Sequence, residues 1–469
     1  MAERKRIYLC LAHMSEEGIE QKYIKEAFDT NWVVRLGPNV NGFEEDLTRF
    51  LARKETNVNV NPNLNHYRVV ALSSGTAAIH LALIGCGVGP GDEVIVQSFT
   101  FCASSHPVTY LGATPVFVDS ERETWNIDPE LLEFAIKDRI AKTGKKPKAI
   151  IPVALYGMPY RIDEIIAIAD RYEIPVIEDA AEGFGSRYNG QMLGTFGRYG
   201  ALSFNGNKMI TTSGGGALIC SPTSEQDGWG GADTIMWYAT QARESYPYYQ
   251  HEKIGYNYRM SNICAGIGRG QMTVANKHIE HHKHVQSLYE ELLADVPGIS
   301  VHCQPQQTCP LKNANGEQDV YDSNYWLCTI TLAPELRIKG QKNAYKSVIK
   351  SAVGGAAGVN HEAETATTDC QPNDNVEALR VYLDQAGIEA RPVWKPMHCQ
   401  PVYRQGVVKM ENIRTKDEDI VCQTSDSSVA YINGISEDIF KIGMCLPAGP
   451  YVSDDDVRYI VEKIRAAID

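Results

Sequence analysis

Between Val69 and about Ser221 the chain repeats one pattern, a short apolar run followed by a stretch with helical spacing, and no other feature constrains the fold as strongly. The apolar runs fall at 69–72, 93–97, 114–119, 149–154, 176–179, 200–204 and 217–220, with helical stretches such as 76–84 and 162–172 between them. Strands that alternate with helices imply a three-layer α/β domain on a largely parallel sheet. Sheets of this kind bind ligands beyond the carboxyl ends of their strands. Polar residues just after those runs are therefore the place to look for chemistry.

The flanks read differently. Residues 17–31 carry an apolar face (Ile19, Tyr23, Ile24, Ala27, Phe28) at helical spacing, and Leu36-Gly37-Pro38-Asn39-Val40 interrupts before a second amphipathic helix with Phe43, Leu47, Phe50 and Leu51 on one side. Residues 55–65 are polar and Asn-rich, which predicts a loop. From Ala275 onward a long helix (277–293) leads into a mixed region, with a strand expected at 325–332 and helices at 376–386 and 452–468. The division expected is 1–275, an N-terminal arm with the large α/β domain, and 276–469, a smaller α+β domain with an insertion near 341–375.

Composition narrows the function classes. A net charge of −13 without a long basic run argues against nucleic acid. No segment approaches the ~20 apolar residues of a membrane span. The apolar run after Arg6 is too short for a signal sequence. Twelve scattered cysteines with no Cys-x-x-Cys pair point to a reduced, cytoplasmic setting and away from a metal site.

Chemistry concentrates around Lys208. The run 200–204 ends in Ser203 and Phe204, a turn follows, and Lys208 stands just before the glycines Gly214-Gly215-Gly216. The run 176–179 ends in Glu178 and Asp179. Most lysines are solvated surface charges, but a lysine and an acid at two strand ends suit pyridoxal phosphate. That cofactor needs a Schiff-base lysine and an acidic partner for its ring nitrogen. In this reading Lys208 is catalytic, Asp179 pairs with the pyridinium nitrogen, and Glu182 contacts the ring hydroxyl. Ser73-Ser74-Gly75-Thr76 follows a strand and opens a helix, so Gly75 and Thr76 offer backbone donors for a phosphate, joined by Ser203. Phe101 lies at the ligand edge of the sheet, where its ring can stack on a planar group. Each of these residues also has a plainer reading: a helix cap, a strand-end serine, a core phenylalanine, a helix-start acid. The run Gly85-Cys86-Gly87-Val88-Gly89-Pro90-Gly91 follows a helix and precedes a strand, the reverse of a dinucleotide fingerprint, and reads as a turn.

Taken in order, these segments resemble the DegT-type, pyridoxal-phosphate-dependent nucleotide-sugar aminotransferases. The resemblance runs through Ser74–Ala78, Gly89–Val96, Gly112–Asp119, Glu178–Glu182, Ser203–Lys208, Gly255–Met260 and Arg391–His398. Within the family the chain is most similar to the branch that aminates C4 of a UDP-linked 4-keto-6-deoxy-N-acetylhexosamine, on the route to bacillosamine-type sugars. The resemblance implies fold-type I, a homodimer with shared active sites, and glutamate as amino donor. It also implies that Asn257 reaches the phosphate of the neighbouring subunit's cofactor, that Arg259 lies near the same site, and that Trp394, Lys395 and His398 line the sugar-nucleotide pocket. The chain departs from the family at Ala154, where a histidine is common, and at Tyr325, where an arginine is frequent. Amination at C3, a dehydratase on the same fold, and a non-catalytic regulator are the competing readings; an intact Lys208 argues against the last two.

Overall fold

The computed structural model describes residues 5–51, 67–226, 230–306, 308–313, 316–339, 370–414 and 419–468. The loop expected at 55–65 and most of the insertion expected at 341–375 lie outside them. Among the described residues no helix is long and apolar enough to cross a membrane.

The repeated runs form one sheet in two hydrogen-bonded parts. Thr114–Val118, Glu93–Gln97 and Ala149–Ile151 pair in parallel, and so do Ile177–Asp179 and Tyr199–Ser203. Parallel bridges Ile150↔Val176 and Val153↔Asp179 join the two parts. One strand departs from the parallel pattern: Gly216–Cys220 runs antiparallel between Tyr199–Ser203 and Arg68–Leu72.

Side-chain alternation explains why three layers form. A strand projects successive side chains to opposite faces, and here both faces are apolar. Ile95, Val116, Ile150, Leu202 and Ile219 enter one core, while their neighbours Val94, Val96, Phe117, Ile151, Ala201 and Leu218 enter the other. Each face must then be covered by helices. Gly75–Gly85, which is almost entirely apolar, is buried on nearly all sides, whereas Ile162–Tyr172 buries only Ile162, Ile165, Ile168 and Ala169.

A second, antiparallel sheet has the strand order Ile299–Val301, Cys328–Leu332, Gly443–Leu446, Arg391–Pro392. It shares a third apolar core with the helices Ala275–Leu293, Asp374–Gln385 and Asp454–Ala467. The last helix starts in a capping box, Ser453 with Asp456.

Two local expectations are corrected and one addition appears. The segment 36–40 does not separate two helices as a loop: the second helix begins at Pro38 itself, because proline suits a helix's first turn, and Val40 is buried with Phe43. The strand expected at 325–332 begins only at Cys328, because Tyr325 takes a left-handed backbone, φ 47°. Strands Lys409–Arg414, Asp419–Thr424 and Val429–Ile432 extend the large sheet beside Thr114–Val118, an addition not legible in the sequence. The glycine run at 85–91 is the turn expected of it. Gly87 and Gly91 have φ near 70° and 78°, between the helix Gly75–Gly85 and the strand Glu93–Gln97.

Candidate active site

The antiparallel strand sets up the site. Register pairs Leu72 with Gly216 and Gly216 with Ser203, while Asp179 pairs with Ala201. The carboxyl ends of Arg68–Leu72, Ile177–Asp179 and Tyr199–Ser203 therefore reach the same edge. The first turn of the helix Gly75–Gly85 stands there too, capped by Ser74 accepting from Ala77 N–H at 3.0 Å. Glycine is required at Gly216: a Cβ there would come within 2.4 Å of the Gly75 nitrogen.

At this edge lies a cavity of about 340 Å³. Gly75, Thr76 and Ser203 line one end, Asp179, Glu182 and Lys208 another part, and Phe101, Trp326 and Trp394 supply aromatic wall. Eight of the residues singled out in the sequence are thus brought together: Gly75, Thr76, Phe101, Asp179, Glu182, Ser203, Lys208 and Trp394.

Asp179 and Glu182 are both buried. Burial pushes the Asp179 carboxyl above its usual range; the Ser104 hydroxyl, the Ala181 N–H and the Lys208 charge pull the other way. Ser104 donates to Asp179 Oδ2 at 2.6 Å and Ala181 N–H to Oδ1 at 3.1 Å, which fixes the carboxylate plane. Burial also raises Glu182, countered first by Lys208. Lys208 Nζ stands 3.3 Å from Glu182 Oε1, and Tyr156 N–H donates to Glu182 Oε2 at 2.7 Å. Among the described residues lining the cavity, Lys208 is the sole cation.

These groups fit pyridoxal phosphate. A fully buried carboxylate calls for a cationic partner, and a ring-nitrogen proton is one. A helix's first turn has N–H groups without intrahelical acceptors, which suit a phosphate. Phe101 is 55% exposed at the mouth, its ring centre 6.0 Å from that of Trp394, a placement that suits a planar guest better than core filling.

The other four residues do not line the cavity. Asn257 is exposed and its side chain accepts from Gln241 Nε2 at 3.0 Å. The Arg259 guanidinium is committed to Glu44 at 2.8 Å, tying the end of the strand Arg68–Leu72 to the helix Pro38–Leu51. Lys395 is half-buried outside the lining. His398 is 1% exposed and held between Ser98 Oγ at 2.6 Å and Glu437 at 3.2 Å. Of the segment from Trp394 to His398, Trp394 alone lines this cavity.

Sequence reasoning missed Ser104, Tyr156 and Trp326. A hydroxyl one turn beyond Phe101 was a signal for Ser104. Trp326 had none stronger than its place after the polar run Asp322-Ser323-Asn324. Cysteine spacing also hid one cluster: Cys370, Cys399 and Glu437 have side-chain ligand atoms within 4.8 Å of one another, away from the cavity lining.

Comparison with known proteins agrees with this geometry. The profile of the DegT/DnrJ/EryC1/StrS aminotransferase family matches residues 14–355. EpsN of Bacillus subtilis (strain 168), assigned by name to the pyridoxal phosphate-dependent aminotransferases, is 38% identical over 458 residues, 98% of this chain and 95% of its own length. GDP-perosamine synthase of Escherichia coli O157:H7 is 30% identical over 459 residues, covering 98% of both chains. Among solved structures, a DegT DnrJ EryC1 StrS aminotransferase from Brucella abortus superposes with a TM-score of 0.71 at 26% identity, covering 96% of this chain and 95% of its own. The two-part sheet, the lysine at its ligand edge and these whole-length similarities have one common explanation: the chain belongs to the DegT/DnrJ/EryC1/StrS aminotransferase family and is an enzyme of the pyridoxal phosphate-dependent, fold-type I kind.

Proposed function

We propose that this enzyme transfers an amino group from glutamate to the C4 keto carbon of a UDP-linked 4-keto-6-deoxy sugar, with Lys208 as the catalytic amine. The observation that carries the reading is the meeting of Lys208 and the buried Asp179 in one cavity at the strand ends. Pyridoxal phosphate supplies the aldehyde that takes up an amine and the conjugated ring that delocalises electrons from the adjacent carbon. Asp179, oriented by Ala181 and Ser104, would hold the proton on the ring nitrogen. Gly75, Thr76 and Ser203 hold the phosphate. Glu182 positions the ring hydroxyl and keeps Lys208 Nζ within reach. Lys208 Nζ then takes the proton from the carbon bearing the transferred nitrogen and returns it on the other side of the exchange.

The sugar enters past Phe101 and Trp394. Both rings line the cavity, and aromatic faces of this kind offer an apolar surface on which a sugar ring packs.

A second copy of the chain completes the site. The one cation among the described residues lining the cavity does not balance a cofactor phosphate, a nucleotide diphosphate and the carboxylates of glutamate. Two segments expose apolar side chains, Trp32, Val33, Val34 and Leu36 in one and Tyr246, Tyr248, Tyr249 and Ile254 in the other. Arg35, within the first, donates to the carbonyl of Asn257, three residues past the second, at 3.2 Å. Patches of this kind favour an interface. Across it Asn257 approaches the neighbour's cofactor phosphate.

The test is a panel of nucleotide keto-sugars with 15N-glutamate, read by mass spectrometry. The expected product is a UDP-linked 4-amino sugar carrying the label. Label found only at C3, or only in GDP- or dTDP-sugars, would overturn the substrate assignment. No label in any sugar, with the cofactor bound, would overturn the function.

A further inference from the structure

We propose that Trp326 is a positioning residue whose indole face docks the free ε-ammonium of Lys208, holding it against Glu182 whenever that amine is not engaged with the cofactor. The proposal rests on the reading of Lys208 as the cofactor's amine.

The contact is direct. Lys208 Nζ lies 4.0 Å from the centre of the Trp326 ring and 3.3 Å from Glu182 Oε1, with the lysine side chain only 13% exposed. An ammonium over an indole is attracted by the ring's quadrupole, more strongly when water is excluded. The other titratable groups around the amine are Asp179 and Cys10, and burial pushes the Cys10 thiol up to about 12, so it is uncharged. The amine is thus in contact with one acid, Glu182, and with the π-face of Trp326.

The ring is also built into place rather than merely filling space. The Trp326 indole N–H donates to the Asn207 carbonyl at 2.7 Å, one residue before Lys208, so ring and lysine loop move together. Tyr325 takes a left-handed backbone, φ 47°, that non-glycine residues rarely adopt. Asn324 holds that turn: its Oδ1 accepts from Trp326 N–H at 2.8 Å, and its Nδ2 donates to the Glu182 and Phe184 carbonyls at 2.9 Å each. Gly157 leaves room for this arrangement, since a Cβ there would come within 1.8 Å of Asn324 Oδ1. One side chain thereby ties the Trp326 turn to the Glu182 loop, and the two groups that touch the ammonium keep a fixed separation. A docked ammonium is neither nucleophile nor base; the amine acts only after leaving the ring.

Competitive acylation of the full-length protein freed of cofactor tests this. The rate at Lys208 is read by peptide mass spectrometry against the exposed Lys145, at one neutral pH. Mono-, di- and trifluorotryptophan placed at position 326 keep the shape while weakening the ring face stepwise. The expected result is a graded rise in Lys208 labelling, about tenfold over the series, with Trp326→Leu at the top and Trp326→Phe between. Labelling that stays within twofold across the fluorinated series would overturn the proposal. A rise in Trp326→Leu alone would do the same, because that reports lost cover rather than lost ring charge. These rates are measured without cofactor, so they stand or fall apart from the question of which lysine carries it.

Discussion

Glu178 and Asp179 are neighbours on one strand, both buried, yet their surroundings have nothing in common. Alternation along the strand sends them to opposite faces. Glu178 accepts three backbone N–H groups, from Gly194 at 2.9 Å, Phe196 at 2.6 Å and Gly197 at 2.8 Å, and so closes a turn. Asp179 accepts one backbone N–H and the Ser104 hydroxyl, and borders a cavity with an amine in it. Burial pushes both carboxyls up. A buried acid saturated by backbone is a structural part, whereas one left short of partners beside a cavity is kept for a ligand.

The largest effect expected around that strand is on Lys208. Lys208→Ala loses about 10²–10⁴-fold in turnover and the visible absorbance of the bound cofactor, with its melting temperature nearly unchanged; retained turnover would remove the functional half of the comparison. Next comes the pair itself. Asp179→Asn keeps the shape and is expected to lower turnover by about 10²-fold or more with little loss of stability. Glu178→Gln puts an amide donor against N–H donors and costs about 2–3 kcal/mol of stability by denaturant titration, while the folded fraction turns over normally. If the two variants exchanged phenotypes, the assignment of faces would be wrong.

Smaller again is Ser104→Ala. It takes the hydroxyl from Asp179 Oδ2, and a hydrogen bond to a charged group is worth about 1.5–3 kcal/mol. Cofactor affinity, measured by fluorescence titration, is expected to fall roughly tenfold; an unchanged affinity would show that Asp179 is held without it.

The smallest concerns acid stability. His282 and His278 are buried neutral, and burial lowers them to about 3 and about 4. Their folded values lie below the ordinary 6.5, so the unfolded chain binds more protons between, and stability is lost as pH falls from about 6.5 toward 4. His282 Nδ1 bonds the Tyr325 carbonyl at 3.2 Å, so this loss bears on the Trp326 turn. His282→Gln should flatten the melting temperature over that range; an unaltered slope would assign the acid loss elsewhere.

How much of this was legible follows from what the sequence encodes locally. The strand and helix alternation is a periodic signal, so the layers, Lys208, Asp179 and the Ser74–Thr76 turn could be read directly. The strand at 217–220 could be read too, but not its antiparallel run between Tyr199–Ser203 and Arg68–Leu72, because register and direction are set by partners distant in sequence. Trp326 was hidden for the same reason: its relation to Lys208 spans more than a hundred residues and depends on a strained turn at Tyr325. His398 shows the opposite case. A motif shared with a family marks a segment, not the direction of each side chain, and this one points between Ser98 and Glu437.

The account depends on which amine carries the cofactor. Borohydride reduction of the cofactor-loaded protein, followed by proteolysis and peptide mass spectrometry, reads this directly. A phosphopyridoxyl group is expected on the peptide containing Lys208, and its disappearance in Lys208→Ala; the group found on any other lysine, or on none, would remove Lys208 as the cofactor's amine.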